Sequence, residues 1–356
     1  MTTITSRALH GAGRIRGQSR SVVLDRLRQF DAQAGSGAAG TYLLMSDGTG
    51  TSLRDLFRSP PLWWRFIRKL RYGLPAVVRL RCRKAKLRVK NNMTIIFASP
   101  AGDGAKLVAK IGLPSELRRG ILSREIRARR MASSEAAVPL HPRLVRHGKE
   151  LWWFVEEFVA ADASVLRRGR VAAFLARAPG FYGRTCRPRP LGRSLRQYGF
   201  TFAAIQEVFR AAGSDLPDSC EASTWPVALI HGDVGPGNVM VDRAGRLVLL
   251  DWELFGKGGV AWDMRALVPY DRPKVEDVLR AIGAPGDLDP DVQLRIVAAI
   301  ELGRLRQRWD RAIRYYEGFG MTPARALRRV EARAAVLVER VKGGDGQPKD
   351  NPYFDR

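Results

Sequence analysis

Between Leu229 and Glu253 the chain reads LIHGDVGPGNVMVDRAGRLVLLDWE, and this stretch limits the fold more than any other. An apolar approach (Val227, Leu229, Ile230) leads into a polar loop carrying His231, Asp233 and Asn238. A second apolar run, Val239 to Val241, turns at Asp242 to Gly245, and a third, Leu247 to Leu250, ends on Asp251 and Glu253. Short apolar runs around a turn predict short buried strands, here with three acids and an amide held at their ends. Metal-dependent phosphoryl transfer suits such an arrangement, because there the protein mainly positions the divalent ion and the nucleophile.

The chain before this stretch is β-rich. Tyr42 to Met45, Lys86 to Lys90, Met93 to Ala98, Lys106 to Ile111, Arg143 to Val145 and Leu151 to Val159 read as strands, with turns at Pro100 to Gly104 and His147 to Lys149. Ser46 to Thr51 reads as a plain turn, since its glycine spacing fits neither a Walker loop nor a complete GxGxxG. Ser115 is placed to cap a helix from Glu116 to about Ala132. On that helix Glu125 follows Leu122 by three residues and Ile121 by four, which puts a carboxylate on the apolar side. Burying it unpaired is costly, and Lys110, which interrupts the apolar alternation of its strand, is the partner this cost calls for.

After Ala160 to Ser164 helical patterns take over. Residues 165 to 222 predict two or three helices around an Arg/Pro-rich segment, Gly256 to Gly259 predicts a loop, and a helix starts within Trp262 to Val268. Further helices are expected near 274–282, 289–316 and 322–342.

Composition bounds the partners. No apolar run approaches the ~20 residues of a membrane-spanning helix, and the basic N-terminus lacks a hydrophobic signal core. Cys82, Cys186 and Cys220 are widely spaced and read as reduced thiols of a cytoplasmic protein. The formal charge of +26 favours anionic partners, although 50 of the 61 basic residues are Arg, a bias that genome composition also produces. Eleven basic residues and no acid lie between Pro61 and Lys90. There Trp63, Phe66, Ile67, Leu70 and Leu74 form a helical stripe, suited to packing on the core or, alternatively, to lying on an anionic membrane surface.

The pattern HxDxxxxN from His231 to Asn238, the hairpin after it, and D-W-E at Asp251 to Glu253 resemble the signature of the aminoglycoside phosphotransferase and choline kinase-like superfamily, which shares the protein-kinase fold. Asp233 to Asn238 is five residues and Asn238 to Asp251 thirteen, both usual in that superfamily, and the resemblance covers roughly residues 86 to 270. It implies that Asp233 orients the acceptor hydroxyl and accepts its proton, and that Asn238 and Asp251 hold Mg2+ against nucleotide phosphates. Lys110 resembles the strand lysine that contacts the α and β phosphates, with Glu125 as its helix partner. The main chain from Glu157 to Val159 falls where adenine is bound, and His231 resembles the histidine that supports the catalytic loop. Glu253 is open between a second metal ligand and a loop brace. Asp263 is open between a carboxylate tying the loop to the next helix and a simple helix-start acid. No Gly-rich loop lies clearly before Lys110, where the turn holds Lys90, Asn91 and Asn92.

The expectation is therefore an α+β, protein-kinase-like two-lobed fold, with a small antiparallel sheet lobe followed by a mainly helical one. Residues 1–40 form a loosely ordered extension, 41–159 the N-lobe with its basic segment 61–90 and nucleotide-binding sheet, 160–342 the C-lobe with the catalytic and metal loops, and 343–356 a tail. The expected activity is transfer of phosphate from ATP, or alternatively GTP, with Mg2+ to a hydroxyl of a small molecule, a sugar or a cell-envelope saccharide. The alternatives are an antibiotic kinase and a catalytically silent kinase-fold protein that binds membrane or nucleic acid through its basic segment, although no specific nucleic-acid module is recognisable.

Overall fold

The computed structural model describes residues 2–4, 41–45, 82–89, 93–100, 107–112, 121–134, 141–147, 153–160, 162, 164–283, 288–317 and 321–344. The extension at 5–40, the turn at 46–51, the amphipathic stripe at 61–81, the turns at 101–104 and 148–149, and the tail from 345 lie outside the described residues. The chain divides into two compact units, Met1–Ala160 and Ala161–Arg356.

The first unit is built on a seven-stranded sheet, in the spatial order β1 (Thr2–Ile4), β2 (Thr41–Met45), β3 (Cys82–Val89), β4 (Met93–Pro100), β5 (Leu107–Gly112), β7 (Trp153–Glu157) and β6 (Leu144–His147). Neighbours are antiparallel except β2 and β3, which pair in parallel. The register sets Lys110 opposite Phe154 and Val108 opposite Glu156. Side chains alternate between faces with period two, so these four share one face. Helix α1 (Ile121–Ser134) brings Leu122, Glu125, Ile126 and Arg129, at i, i+3, i+4 and i+7, into the buried interior. Val108, Leu122, Ile126 and Phe154 form the apolar cluster there.

The second unit is mainly helical: α2 (Arg167–Gly183), α3 (Leu191–Leu195), α4 (Phe202–Ala211), α5 (Val260–Met264), α6 (Val268–Ile282), α7 (Pro290–Gln307), α8 (Trp309–Glu317) and α9 (Pro323–Val341). At its centre is α7, where Ile296, Val297, Ala299 and Ile300 are all fully buried. A helix apolar on every side belongs inside, and α4, α5 and α9 pack around this one. Asp289 caps it by accepting the Asp291 N–H at 2.8 Å, with Pro290 in the first turn. Thr322 and Pro323 repeat the device on α9.

A three-stranded sheet, ordered β12 (Gly256–Gly259), β9 (Thr224–Ile230) and β8 (Arg187–Pro190), and the hairpin β10 (Val239–Val241) with β11 (Leu247–Leu249) complete the unit. The structure differs from expectation at Thr2–Ile4, a strand paired with β2 within the stretch expected as a loosely ordered extension, at Arg187–Pro190, a strand in a region expected to be helical, and at three further places. Gly256 to Gly259 is a strand and not a loop, pairing Gly256 with Ile230 and Gly259 with Val227. Glycine hides this from pattern reading but permits it physically, since a Cβ at Gly259 would run into the Trp225 ring. The helix expected over 289–316 breaks at Arg308 into α7 and α8. The helical turns on either side of Asp271 merge into α6 across a kink, with Asp271 at φ −165° just before Pro273.

Candidate active site

Two groups of polar side chains stand out, one in each unit. In the first, Lys110 Nζ lies 3.1 Å from Glu125 Oε2 and 3.3 Å from Oε1. Glu125 Oε2 is also 3.0 Å from Arg129 Nη1, and Arg129 in turn gives its Nε, at 3.0 Å, and its Nη2 to Glu156 Oε2. All four are buried. Burial works against the Arg129 charge, but Glu156 and Glu125 together outweigh it and hold the guanidinium pKa above its ordinary value. The Phe154 ring covers the group, 4.7 Å from the Arg129 guanidinium carbon. Glu157 faces away and pairs with exposed Arg143 at 2.5 Å. Its N–H donates to the Arg143 carbonyl, so this main-chain donor is committed within the unit, while Val159 lies half-buried just beyond the strand.

In the second unit β9 ends at Ile230 and delivers His231 into the interior. Asp263, fully buried on α5, accepts the His231 N–H and the Tyr182 hydroxyl on Oδ2, at 2.7 and 2.8 Å, and the Gly232 N–H on Oδ1 at 2.7 Å. Burial pushes its carboxyl pKa up against these partners. Gly232 has φ +88°, and a Cβ there would sit 2.5 Å from the Leu254 carbonyl oxygen, so only glycine fits. The His231 ring accepts the Asp233 N–H on Nδ1 at 3.2 Å and donates from Nε2 to the Leu250 carbonyl at 2.8 Å. Those two bonds define the neutral Nε2–H tautomer, and burial lowers the ring's pKa.

Asp233 follows with 56% of its side chain exposed. Asn238 Nδ2 donates to its Oδ2 at 3.2 Å and to its carbonyl at 2.9 Å, while Arg265 Nη2 lies 3.9 Å from its Oδ1. The Leu250 N–H donates to the Asn238 carbonyl at 2.8 Å, extending the β10–β11 ladder, so Asn238 and Asp251 leave the hairpin at the same end. Asp251 sits at φ +60°, the left-handed region that aspartate tolerates better than most side chains. It is half-buried, as is Glu253. With Nδ2 used on Asp233, the Asn238 oxygen is left as an atom that could ligate a cation, and together with the Asp251 carboxylate it offers oxygen donors of the kind Mg2+ takes.

Sequence reasoning named Asp263 without choosing its role, and the structure makes it the acceptor for three donors of the loop and of α2. It missed Arg129, Glu156, Tyr182 and Arg265. The helical stripe from Leu122 continues to Arg129 at i+7, a signal present in the sequence but obscured by Arg124, Arg127 and Arg130 beside it. Tyr182 lies 81 residues from Asp263, beyond any local pattern.

No curated protein matches the sequence. Among solved structures, the choline kinase LicA from Streptococcus pneumoniae is 14% identical, over 70% of this chain and 90% of that one, with a TM-score of 0.46. The macrolide 2'-phosphotransferase MphH from Brachybacterium faecium is 16% identical, over 79% and 99%, with a TM-score of 0.46. Residues 132–292, which hold the polar loop, the hairpin and Asp263, match the model of a phosphotransferase enzyme family. Over that segment the chain is similar to the phosphotransferase enzyme family, in keeping with the superfamily that its HxDxxxxN motif resembles.

Proposed function

We propose that this small-molecule kinase transfers the γ-phosphoryl group of ATP, with Mg2+, to a hydroxyl of a neutral or anionic acceptor such as a sugar or a cell-envelope saccharide. Asp233 takes the hydroxyl proton as the acceptor oxygen bonds to phosphorus, and the bond to the departing ADP breaks. Asn238 and Asp251 hold Mg2+, whose charge offsets that of the phosphate oxygens, and Glu253 is a further ligand or a brace. Lys110, paired with Glu125, contacts the α and β phosphates, and the main chain of Glu157 to Val159 meets the base. His231 and Asp263 fix the loop. The observation that carries this reading is Asp233 exposed on a loop fixed by Asp263, with Asn238 bonded to it and Asp251 at the same hairpin end.

Two observations support the acceptor class. The net charge of +26 repels polycations at long range. The Trp262 ring, a face that would suit a cationic amine, is already met by cations of the chain itself, since Arg265 lies 4.4 Å and Arg304 5.1 Å from its centroid. Among the described residues no helix is long and apolar enough to cross a membrane. We place the protein in the cytoplasm, with the basic segment 61–90 available to an anionic membrane surface.

The test is ADP release from Mg-ATP against a panel of sugars, lipid-linked saccharides, aminoglycosides and choline-like amines, beside the Asp233→Asn variant. We expect turnover with a saccharide, and a loss of about 10²–10⁴-fold in kcat in the variant with ADP affinity retained. Undiminished turnover in the variant sinks the base assignment, and a preference for aminoglycosides sinks the acceptor class. Binding to anionic vesicles without turnover of anything would favour a catalytically silent protein.

A further inference from the structure

We infer that Arg129 and Glu156 are positioning residues that set how much of the Lys110 charge is available to a bound nucleotide. The inference rests on the reading of Lys110 as a phosphate contact. A lysine and a glutamate alone would satisfy each other. Here a second pair is buried against them, although the neighbouring α1 residues Arg127 and Arg130 show that an arginine on this helix can face solvent. Burying a guanidinium is costly unless carboxylates receive it, and Arg129 has two, Glu125 and Glu156.

The consequence lies in how the charges are divided. Glu125 Oε2 is 3.1 Å from Lys110 and 3.0 Å from Arg129, so its single negative charge is shared between two cations and what it gives the lysine depends on what it gives the arginine. Glu156 engages Arg129 through Nε and Nη2, which keeps Arg129 from drawing Glu125 to itself. How Glu125 is divided between Lys110 and Arg129 therefore depends on a residue, Glu156, that engages Arg129 and not Lys110.

Two changes should move ADP affinity in opposite directions. Removing the second pair in the double variant Arg129→Met, Glu156→Met leaves Glu125 to Lys110. Apolar replacement of a buried ion pair is often neutral for stability, so we expect a melting temperature near wild type. The Kd for Mg-ADP should rise by about threefold to thirtyfold, the scale of coupling between contacting residues. Glu156→Gln keeps shape while removing the charge that occupies Arg129. Glu125 should then shift toward Arg129, Lys110 is less neutralised, and Mg-ADP should bind more tightly. Calorimetric titration of Mg-ADP into the full chain, with thermal melts alongside, reads both. A purely structural role predicts that affinity follows folding alone. Unchanged affinity in the folded double variant overturns the inference, as do shifts of one sign in both variants. Should the double variant not fold, Glu156→Gln decides alone, and unchanged or weaker binding overturns the inference. A wild-type protein that binds no ADP overturns the nucleotide reading and this inference with it, whereas wild-type binding with indifferent variants overturns this inference alone.

Discussion

His231 commits its main-chain N–H and both ring nitrogens: the N–H to Asp263, Nδ1 to the Asp233 N–H, and Nε2–H to the Leu250 carbonyl. A proton added to Nδ1 would face the Asp233 N–H, donor against donor, and burial already lowers the ring's pKa. The unfolded chain therefore binds this proton before the folded one does. Stability from His231 is complete above the unfolded value of about 6.5 and is lost as pH falls from there toward the lower folded value, at up to ~1.4 kcal/mol per pH unit. Urea unfolding at pH 7.5 and 5 should show this loss, and His231→Asn should reduce it. His141, lowered by its own burial, contributes equally to both proteins and cancels in the comparison. An identical pH dependence in the variant would refute the argument. Gly232 gives a second prediction at this scale, since both its positive φ and the nearness of the Leu254 carbonyl exclude a side chain. Gly232→Ala should cost about 1–3 kcal/mol in thermal or urea unfolding, the range for a strained backbone position.

The β10–β11 hairpin is the element that unites the proposed metal ligands, and its turn is tied by one residue. Asp242 Oδ1 accepts the N–H groups of Ala244 and Arg246, at 2.9 and 2.8 Å, and Oδ2 accepts Arg246 Nε at 2.7 Å. Asp242→Ala should cost about 1–3 kcal/mol and raise the Mg2+ concentration for half-maximal ADP release, because Asn238 and Asp251 lose their common base. An Mg2+ titration identical to wild type would show that the turn does not control the metal ligands. How legible each element was follows from where its information lies. The hairpin was readable because apolar runs and turn residues alternate within 15 residues of chain. The ion pair of Lys110 and Glu125 was readable because each breaks the apolar pattern of its own element. Strand β12 was not, since three glycines and a lysine carry no pattern and their place is decided by Trp225, 31 or more residues away. Arg129 and Glu156 were not, because a charged residue on a buried face resembles one in solvent until the opposing strand is in place. The same holds for Asp263, whose three donors come from α2 and from the loop 31 and 32 residues earlier.

On the scale of the whole molecule the excess of basic residues, 61 against 35 acidic, is a property that no single contact carries. Its field acts over the screening length, which shrinks from about 10 Å at 0.1 M salt to about 3 Å at 1 M. Mg-ATP, the proposed donor, is an anion, so its encounter with this surface should be assisted at low salt and the assistance should disappear as salt rises. In the proposed reaction the chemical step depends on short contacts around Asp233 and is screened much less. Salt should therefore act on kcat/KM for Mg-ATP, lowering it severalfold between those concentrations, while kcat at saturating nucleotide changes little. A polycationic acceptor meets the opposite field. If an aminoglycoside is turned over at all, its kcat/KM should rise across the same salt range, giving slopes of opposite sign for the two substrates of one enzyme. Ion-specific effects would move both slopes together, so the sign difference isolates the field. Parallel slopes in chloride and acetate salts alike would show that the charge excess reflects arginine-rich composition without a part in substrate capture.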